Sequence, residues 1–190
     1  MKIIVGPAYL LLTLLILTIC PCFAQTGCNQ WLIQEAYNQL KAGANEQAIT
    51  TLSKVLKDNP ASVDARRYLG YAFIQMGLGT KAIRELEYVT RMEPGSPADL
   101  VLLADAYFYS SQYKQAAELY EEALKTSPCS ESARSGLVHT YIALGETEKA
   151  TALCTNALNE SPAPSSRIHY EDLLCLAQGS HGVQRPPSGR

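Results

Sequence analysis

Histidine, aspartate and cysteine side chains are the groups of this chain best suited to acid–base or metal chemistry. The 190 residues include three histidines, at positions 139, 169 and 181. His139 follows Asp105 by 34 residues, and an imidazole beside a carboxylate can transfer a proton when a pocket orients the substrate. The sequence contains no glycine-rich phosphate loop, no His-Glu-x-x-His and no nucleophile elbow. We therefore predict that the protein is not an enzyme and needs no cofactor.

The cysteines are spaced poorly for a metal site. Two of the six, Cys20 and Cys22, lie in an apolar N-terminal segment, and the others contain no Cys-x-x-Cys pair that would favour zinc. In an oxidising compartment these four allow three complete pairings, and the alternative is buried thiols that pack as small apolar residues. The four are Cys28, Cys129, Cys154 and Cys175.

Residues 1–24 have the features of a secretory signal peptide. Lys2 is their only ionised side chain, the run from Leu10 to Ile19 is apolar, and small residues precede a cleavage position that we expect after Ala24. The alternative is an uncleaved anchor, because residues 3–24 are long enough to cross a hydrocarbon core that needs about 20 apolar residues. A lipid anchor on Cys20 or Cys22 is disfavoured by the residues that precede them. We expect an exported protein, periplasmic or secreted.

The charge of the remaining chain argues against nucleic-acid binding. Without the leader, 166 residues carry 15 basic and 18 acidic side chains, a net charge of −3. Such a chain has no broad basic surface that would neutralise phosphates and release counterions. We expect protein partners and no nucleic acid, and contact with a membrane only through an uncleaved leader.

Side-chain types recur every 34 residues after the leader. Alanine occupies one position of the period and proline another, a third holds residues suited to turns, and three more hold large apolar or aromatic residues. The alanines are Ala48, Ala82, Ala116 and Ala150; the prolines are Pro60, Pro94, Pro128 and Pro162. The turn residues are Gly43, Gly77, Ser111 and Gly145; the large residues include Leu69, Leu103, Leu137, Phe73, Tyr107 and Tyr141, with Leu52, Leu86 and Tyr120 in a further column.

This pattern resembles the tetratricopeptide repeat, whose 34-residue unit combines a leucine and a small residue, an aromatic, a turn, an alanine and a proline. The resemblance implies an all-α, right-handed α-solenoid of four antiparallel helix pairs, with repeats at about 29–62, 63–96, 97–130 and 131–164. Small residues such as Gly70 and Ala82 would let the paired helices approach closely. Stacked neighbours would bury the apolar side that each pair exposes.

The ends of the repeat array depart from the pattern. Glu35 and Gln39 occupy columns that hold leucine and aromatics elsewhere, as expected where no earlier helix covers them. After a short segment at 25–28, the repeat domain would run over 29–178. Its last part, 165–178, is predicted as a capping helix with Tyr170, Leu173, Leu174 and Ala177 on one face. Residues 179–190 are predicted to be a disordered tail.

The resemblance also implies where a partner and a disulfide would lie. First helices of successive repeats line a concave groove that binds a peptide or a helix, and Tyr71, Arg67 and Tyr109 have the composition of binding hot spots. A carboxylate clamp is not indicated, since only Arg67 supplies a charge at its matching positions. Packing of the last repeat against the cap would bring Cys154 near Cys175, although Cys175 lies off the best apolar face. The groove residues carried over are Tyr37, Arg67, Tyr71, Asp105, Phe108, Tyr109 and His139.

These expectations favour an exported adaptor that binds a partner polypeptide in its groove and helps assemble or regulate an envelope or secretory-pathway complex. Within this picture Asp105 and His139 are polar groove residues. Two alternatives stay open. The solenoid could instead stack with copies of itself, or the chain could be an enzyme whose polar pocket the sequence does not display.

Overall fold

The computed structural model describes residues 21–160 and 163–179, with side chains from residue 29 onward. Residues 1–20 of the predicted signal peptide, Pro162 and the predicted tail from residue 180 lie outside these ranges. Within them the regular structure is entirely helical, as predicted. The nine helices are α1 (Pro21–Lys41), α2 (Asn45–Asp58), α3 (Val63–Gln75), α4 (Gly79–Met92), α5 (Pro97–Tyr109), α6 (Tyr113–Thr126), α7 (Glu131–Leu144), α8 (Thr147–Asn159) and α9 (Pro164–Ala177).

Helix α1 starts earlier than the first repeat was expected to start. It begins at Pro21, so it continues through the predicted cleavage position after Ala24 and through the segment 25–28. Its length of 21 residues is enough to cross a bilayer, but it is not apolar enough. In the parts of the chain that the structure describes, no helix combines the length and the hydropathy of a membrane span.

The chain divides into two compact units between Tyr68 and Leu69, inside α3. In the first unit α1 packs against α2 around a core that includes Ala36, Leu52 and the fully buried Ala48. The polar residues at the start of the array bond to each other. The amide of Gln39 donates to Glu35 over 3.2 Å and accepts from the hydroxyl of Thr51 over 3.1 Å.

In the second unit each helix from α5 to α9 packs against the one before it along the chain. The repeat alanines are fully buried here as well, at Ala82, Ala116 and Ala150. Helix packing is close at Gly70, where an added Cβ would lie 2.8 Å from Cδ2 of Leu86. Helix α9 buries Tyr170, Leu173 and Ala177 and contacts both α7 and α8, which confirms the predicted cap.

Turn chemistry explains where the helices end. The turn column adopts a left-handed backbone throughout, with φ of 75°, 70°, 60° and 76° at Gly43, Gly77, Ser111 and Gly145. This conformation ends a helix and favours glycine, which has no Cβ to clash. The second helices of the first three repeats end two residues before their prolines. Serine hydroxyls at Ser96 and Ser130, one repeat apart, cap the following helices by accepting backbone N–H groups.

Candidate partner-binding site

A pocket of about 380 Å³ lies in the second unit, on the side where α5 and α7 present their side chains. Four of the predicted groove residues meet in it, two aromatic and two ionisable. Helix α6 contributes the ring of Tyr120, and α7 also contributes two serine hydroxyls and a glycine. The lining residues are Asp105, Phe108, Tyr109, Tyr120, Ser132, Ser135, Gly136 and His139.

The floor of the pocket joins a tyrosine to a carboxylate. Tyr120 is 1% exposed and occupies the repeat position held by Leu52 and Leu86, yet its hydroxyl donates a hydrogen bond to Oδ1 of Asp105. Burial raises the pKa of Asp105, and the bond from Tyr120 acts against that rise. Burial and the nearby carboxylate also raise the pKa of the Tyr120 hydroxyl. From its repeat position alone, Tyr120 was predicted only to be a large core residue.

Gly136 provides the space that the Tyr120 ring needs. A Cβ at position 136 would lie 2.6 Å from Cε1 of that ring, closer than side-chain atoms approach without displacement. One repeat earlier, the corresponding pair is Leu86 and Leu102. The joint change from two leucines to a tyrosine and a glycine is the sequence signal that could have identified this floor.

Aromatic rings form one wall of the pocket. Tyr109 is 56% exposed, and its ring meets that of Phe108 edge-on with centroids 5.8 Å apart. Phe108 in turn packs against Tyr113, with centroids 5.4 Å apart. Because Phe108 is fixed between two rings, it holds a firm surface on which a planar group can stack.

The opposite wall carries a histidine and is supported by the capping helix. His139 is exposed at the rim, and partial desolvation followed by the charge of His169 lowers its pKa. His169, on α9, lies 2.8 Å from the hydroxyl of Ser135 through its Nε2 atom. Asp105 and His139 therefore line the same pocket, but the hydrogen bond of Asp105 is to Tyr120.

The remaining predicted groove residues do not enter this pocket. In the first unit, Tyr37 lies 5.6 Å from Tyr68 between ring centroids, with the ammonium of Lys41 5.4 Å from its ring. Arg67 forms an ion pair of 2.5 Å with Asp64, so its charge is already compensated. In the second unit, Tyr71 is exposed on α3. Their role as partner contacts stays a prediction.

The structure has thiols at the two cysteines for which a disulfide was predicted. Cys154 is fully buried in α8 and Cys175 half-buried in α9, and burial raises the pKa of Cys154 to about 11. The pairing stays a prediction, and Cys28 lies among the residues whose side chains are not described. Within residues 29–160 and 163–179, no three His, Cys, Asp or Glu side chains cluster as metal ligands.

Comparison with known proteins identifies the repeats. A family model described as tetratricopeptide repeat matches residues 39–98 and 107–170, more than half of the chain. The chain is 24% identical over 152 residues to the phagocyte signaling-impaired protein of Drosophila pseudoobscura pseudoobscura and 25% identical over 124 residues to superkiller complex protein 3 of Mus musculus. These matches cover 80% and 65% of this chain but span only 16% and 8% of those relatives.

Solved structures show the same fold. A MamA protein superposes with a TM-score of 0.67 at 22% identity, over 80% of this chain and 81% of that one. TTC0263, a tetratricopeptide repeat protein of Thermus thermophilus, gives 0.66 at 22% identity over 80% and 83%. PilF of Pseudomonas aeruginosa gives 0.65 at 20% identity over 82% and 74%. The predicted fold class, an all-α solenoid of helix pairs with a terminal cap, is thereby confirmed.

Proposed function

The chain belongs to the tetratricopeptide repeat family, and on this premise we propose that it is an exported adaptor whose groove binds a partner polypeptide. Proteins of this family are typically non-catalytic, and their fold is a scaffold for protein–protein interaction. The proposed partner belongs to a complex of the envelope or the secretory pathway, whose assembly or regulation the adaptor assists.

The observation that carries this proposal is the open pocket between α5 and α7. It exposes more than half of Tyr109, beside the half-buried carboxylate of Asp105 and several side-chain hydroxyls. Tyrosines at binding surfaces contribute a large apolar area together with a polar atom, and they are enriched among the residues that dominate affinity. A surface of this composition fits a polypeptide better than a purely apolar ligand.

The experiment compares the parent chain with the double variant Tyr71→Ala and Tyr109→Ala, each chain tagged after Arg190. Both tyrosines are exposed, so their removal should leave the helical circular-dichroism spectrum unchanged. The parent should retain partners captured from the envelope of the source cell, and the variant should lose them. Removal of each tyrosine should weaken the binding free energy by about 1–2 kcal/mol. Equal capture by both chains would move the interface away from these tyrosines.

Export is proposed from residues 1–24 and has its own test. The apolar run after Lys2 and the small residues before Gln25 favour processing after Ala24. N-terminal sequencing of the protein recovered from its compartment should begin at Gln25. A chain that retains Met1 and sediments with membranes would support the anchored alternative.

Self-association is a second candidate, and exposed apolar residues on the capping helix favour it. Ile168 and Leu176 of α9 are 53% and 51% exposed, and apolar side chains left open to water on one element can mark an interaction site. Light scattering over a range of protein concentration should show a rising mass if α9 faces stack between chains. The pair Ile168→Ser and Leu176→Ser should then restore a constant mass.

A further inference from the structure

We infer that the pocket between α5, α6 and α7 receives a single basic side chain of the partner, preferably an arginine, with its charged group on Asp105. This inference deepens the proposed adaptor function and rests on it. The occupant is a segment of a partner polypeptide, of which only the basic side chain needs to enter the pocket.

The charges around the pocket favour a cation. Asp105 is the one carboxylate among the lining residues, and within the described part of the chain no lysine or arginine lines the pocket. An ionised carboxylate can accept about four hydrogen bonds, and Tyr120 provides one of them. The remaining acceptor positions of Asp105 suit the N–H groups of a guanidinium, which can donate two parallel hydrogen bonds to one carboxylate.

The aromatic wall favours arginine over lysine. The rings of Phe108 and Tyr109 lie beside Asp105, one turn further along α5. A planar guanidinium stacks on such rings while it bonds to the carboxylate, whereas an ammonium is a compact and strongly hydrated charge. The fixed position of Phe108 between Tyr109 and Tyr113 reduces the ordering that binding requires.

The size of the pocket also fits one side chain. Its volume of about 380 Å³ lies near the lower end of the range of about 300–1,000 Å³ that is usual for small-molecule sites. The hydroxyl of Ser132 and the ring of His139 also line the pocket, where they can bond to the backbone of an inserted segment. An acidic side chain would instead be repelled by Asp105 in a partly desolvated site.

A positional peptide library tests the inference. The probe is a set of nine-residue peptides in which the central residue is fixed and the other positions are mixed. The full chain, captured through a tag after Arg190, is compared with Asp105→Asn, with the double variant Tyr71→Ala and Tyr109→Ala, and with Glu121→Gln. Glu121 is the matched control, because its carboxylate also accepts from a tyrosine, Tyr141, but does not line the pocket.

The parent chain and Glu121→Gln should enrich peptides with central arginine at least about tenfold over those with central citrulline, the uncharged analogue, with lysine in between. Asp105→Asn should lose this preference and still bind the library through its other contacts. Binding without a preference for basic residues, or a preference that Asp105→Asn retains, would overturn the inference but leave the adaptor function intact. If the parent enriches no peptide above the double tyrosine variant, the groove itself is contradicted.

Discussion

The hydroxyl of Tyr120 donates a hydrogen bond to the carboxylate of Asp105, which links a core side chain of one helix to the surface of its neighbour. Tyr120 is buried with the alanines and leucines of the second unit, whereas Asp105 lines the open pocket. The bond therefore holds the carboxylate in place, and its other acceptor positions can take hydrogen bonds from a group in the pocket. A leucine at position 120, like Leu52 and Leu86 in the same repeat column, would fill the core without this support.

Asp105→Asn should stabilise the fold at neutral pH while it weakens partner binding. Burial raises the pKa of Asp105 above its ordinary value of 3.8, so the folded state favours the protonated acid. The stability contributed by that proton is present below the unfolded pKa and is lost as pH rises through the folded pKa. Asparagine does not ionise, so the variant does not lose this stability as pH rises, and its side-chain oxygen can still accept the hydrogen bond from Tyr120.

Urea unfolding at pH 4 and pH 7 measures this effect. The advantage of Asp105→Asn over the parent should be larger at pH 7 than at pH 4. The exposed control Glu121→Gln keeps an acceptor for Tyr141 and should change the free energy of unfolding by less than about 0.5 kcal/mol. A parent chain that is more stable than Asp105→Asn at pH 7 would show that the carboxylate strengthens the fold rather than straining it.

Gly136→Ala should destabilise the parent but not a chain with leucine at position 120. A Cβ at 136 would lie 2.6 Å from the Tyr120 ring, and overpacking of this kind costs about 1–3 kcal/mol. In the background of Tyr120→Leu the ring is absent, so the same change should be neutral or gain up to about 1 kcal/mol from better helix propensity. Chemical denaturation of all four chains gives the coupling energy, and additive effects would place Gly136 away from Tyr120.

The repeat columns predict the core well because they report size. Alanine recurs at Ala48, Ala82, Ala116 and Ala150, and all four are fully buried, as expected where small residues let paired helices approach closely. The columns do not predict the hydrogen-bond partners of polar atoms. The size of Tyr120 predicts a core residue, and only the packing shows that its hydroxyl bonds to Asp105 on a different helix.

The period does not predict the full length of the first helix. The repeat array is predicted from about residue 29, and α1 extends before it to Pro21. A 34-residue period identifies where a repeat has its packing residues and does not limit how far a terminal helix extends beyond them. Serine caps such as Ser96 and Ser130 were readable from the sequence, and they would have set the starts of α5 and α7.

Ser111→Gly should stabilise the protein by about 0.5–1 kcal/mol. Ser111 has a φ of 60°, where the other three turn positions hold glycine, and a side chain in this left-handed region costs roughly 1–2 kcal/mol. The gain is partly offset because glycine gives the unfolded chain more freedom. The mirror change Gly145→Ser should lose a similar amount, since no atom lies within 4 Å of its added Cβ and only backbone strain enters. Thermal unfolding measures the stability change in both variants. A Ser111→Gly variant less stable than the parent would contradict backbone strain at Ser111.

Alkylation at pH 8 should label the cysteines in the order of their exposure. Cys129 is exposed and should react first, whereas Cys154 is fully buried and should react only when the protein unfolds. The pKa of about 11 for Cys154, against 9.0 for the isolated thiol, leaves about a hundredfold less of the reactive thiolate. In the unfolded chain, protection of both Cys154 and Cys175 that only a reductant removes would identify the predicted disulfide, which would stabilise the fold by roughly 3 kcal/mol in the chain-entropy model. Labelling of Cys154 as fast as Cys129 in the folded chain would contradict the packing of α8.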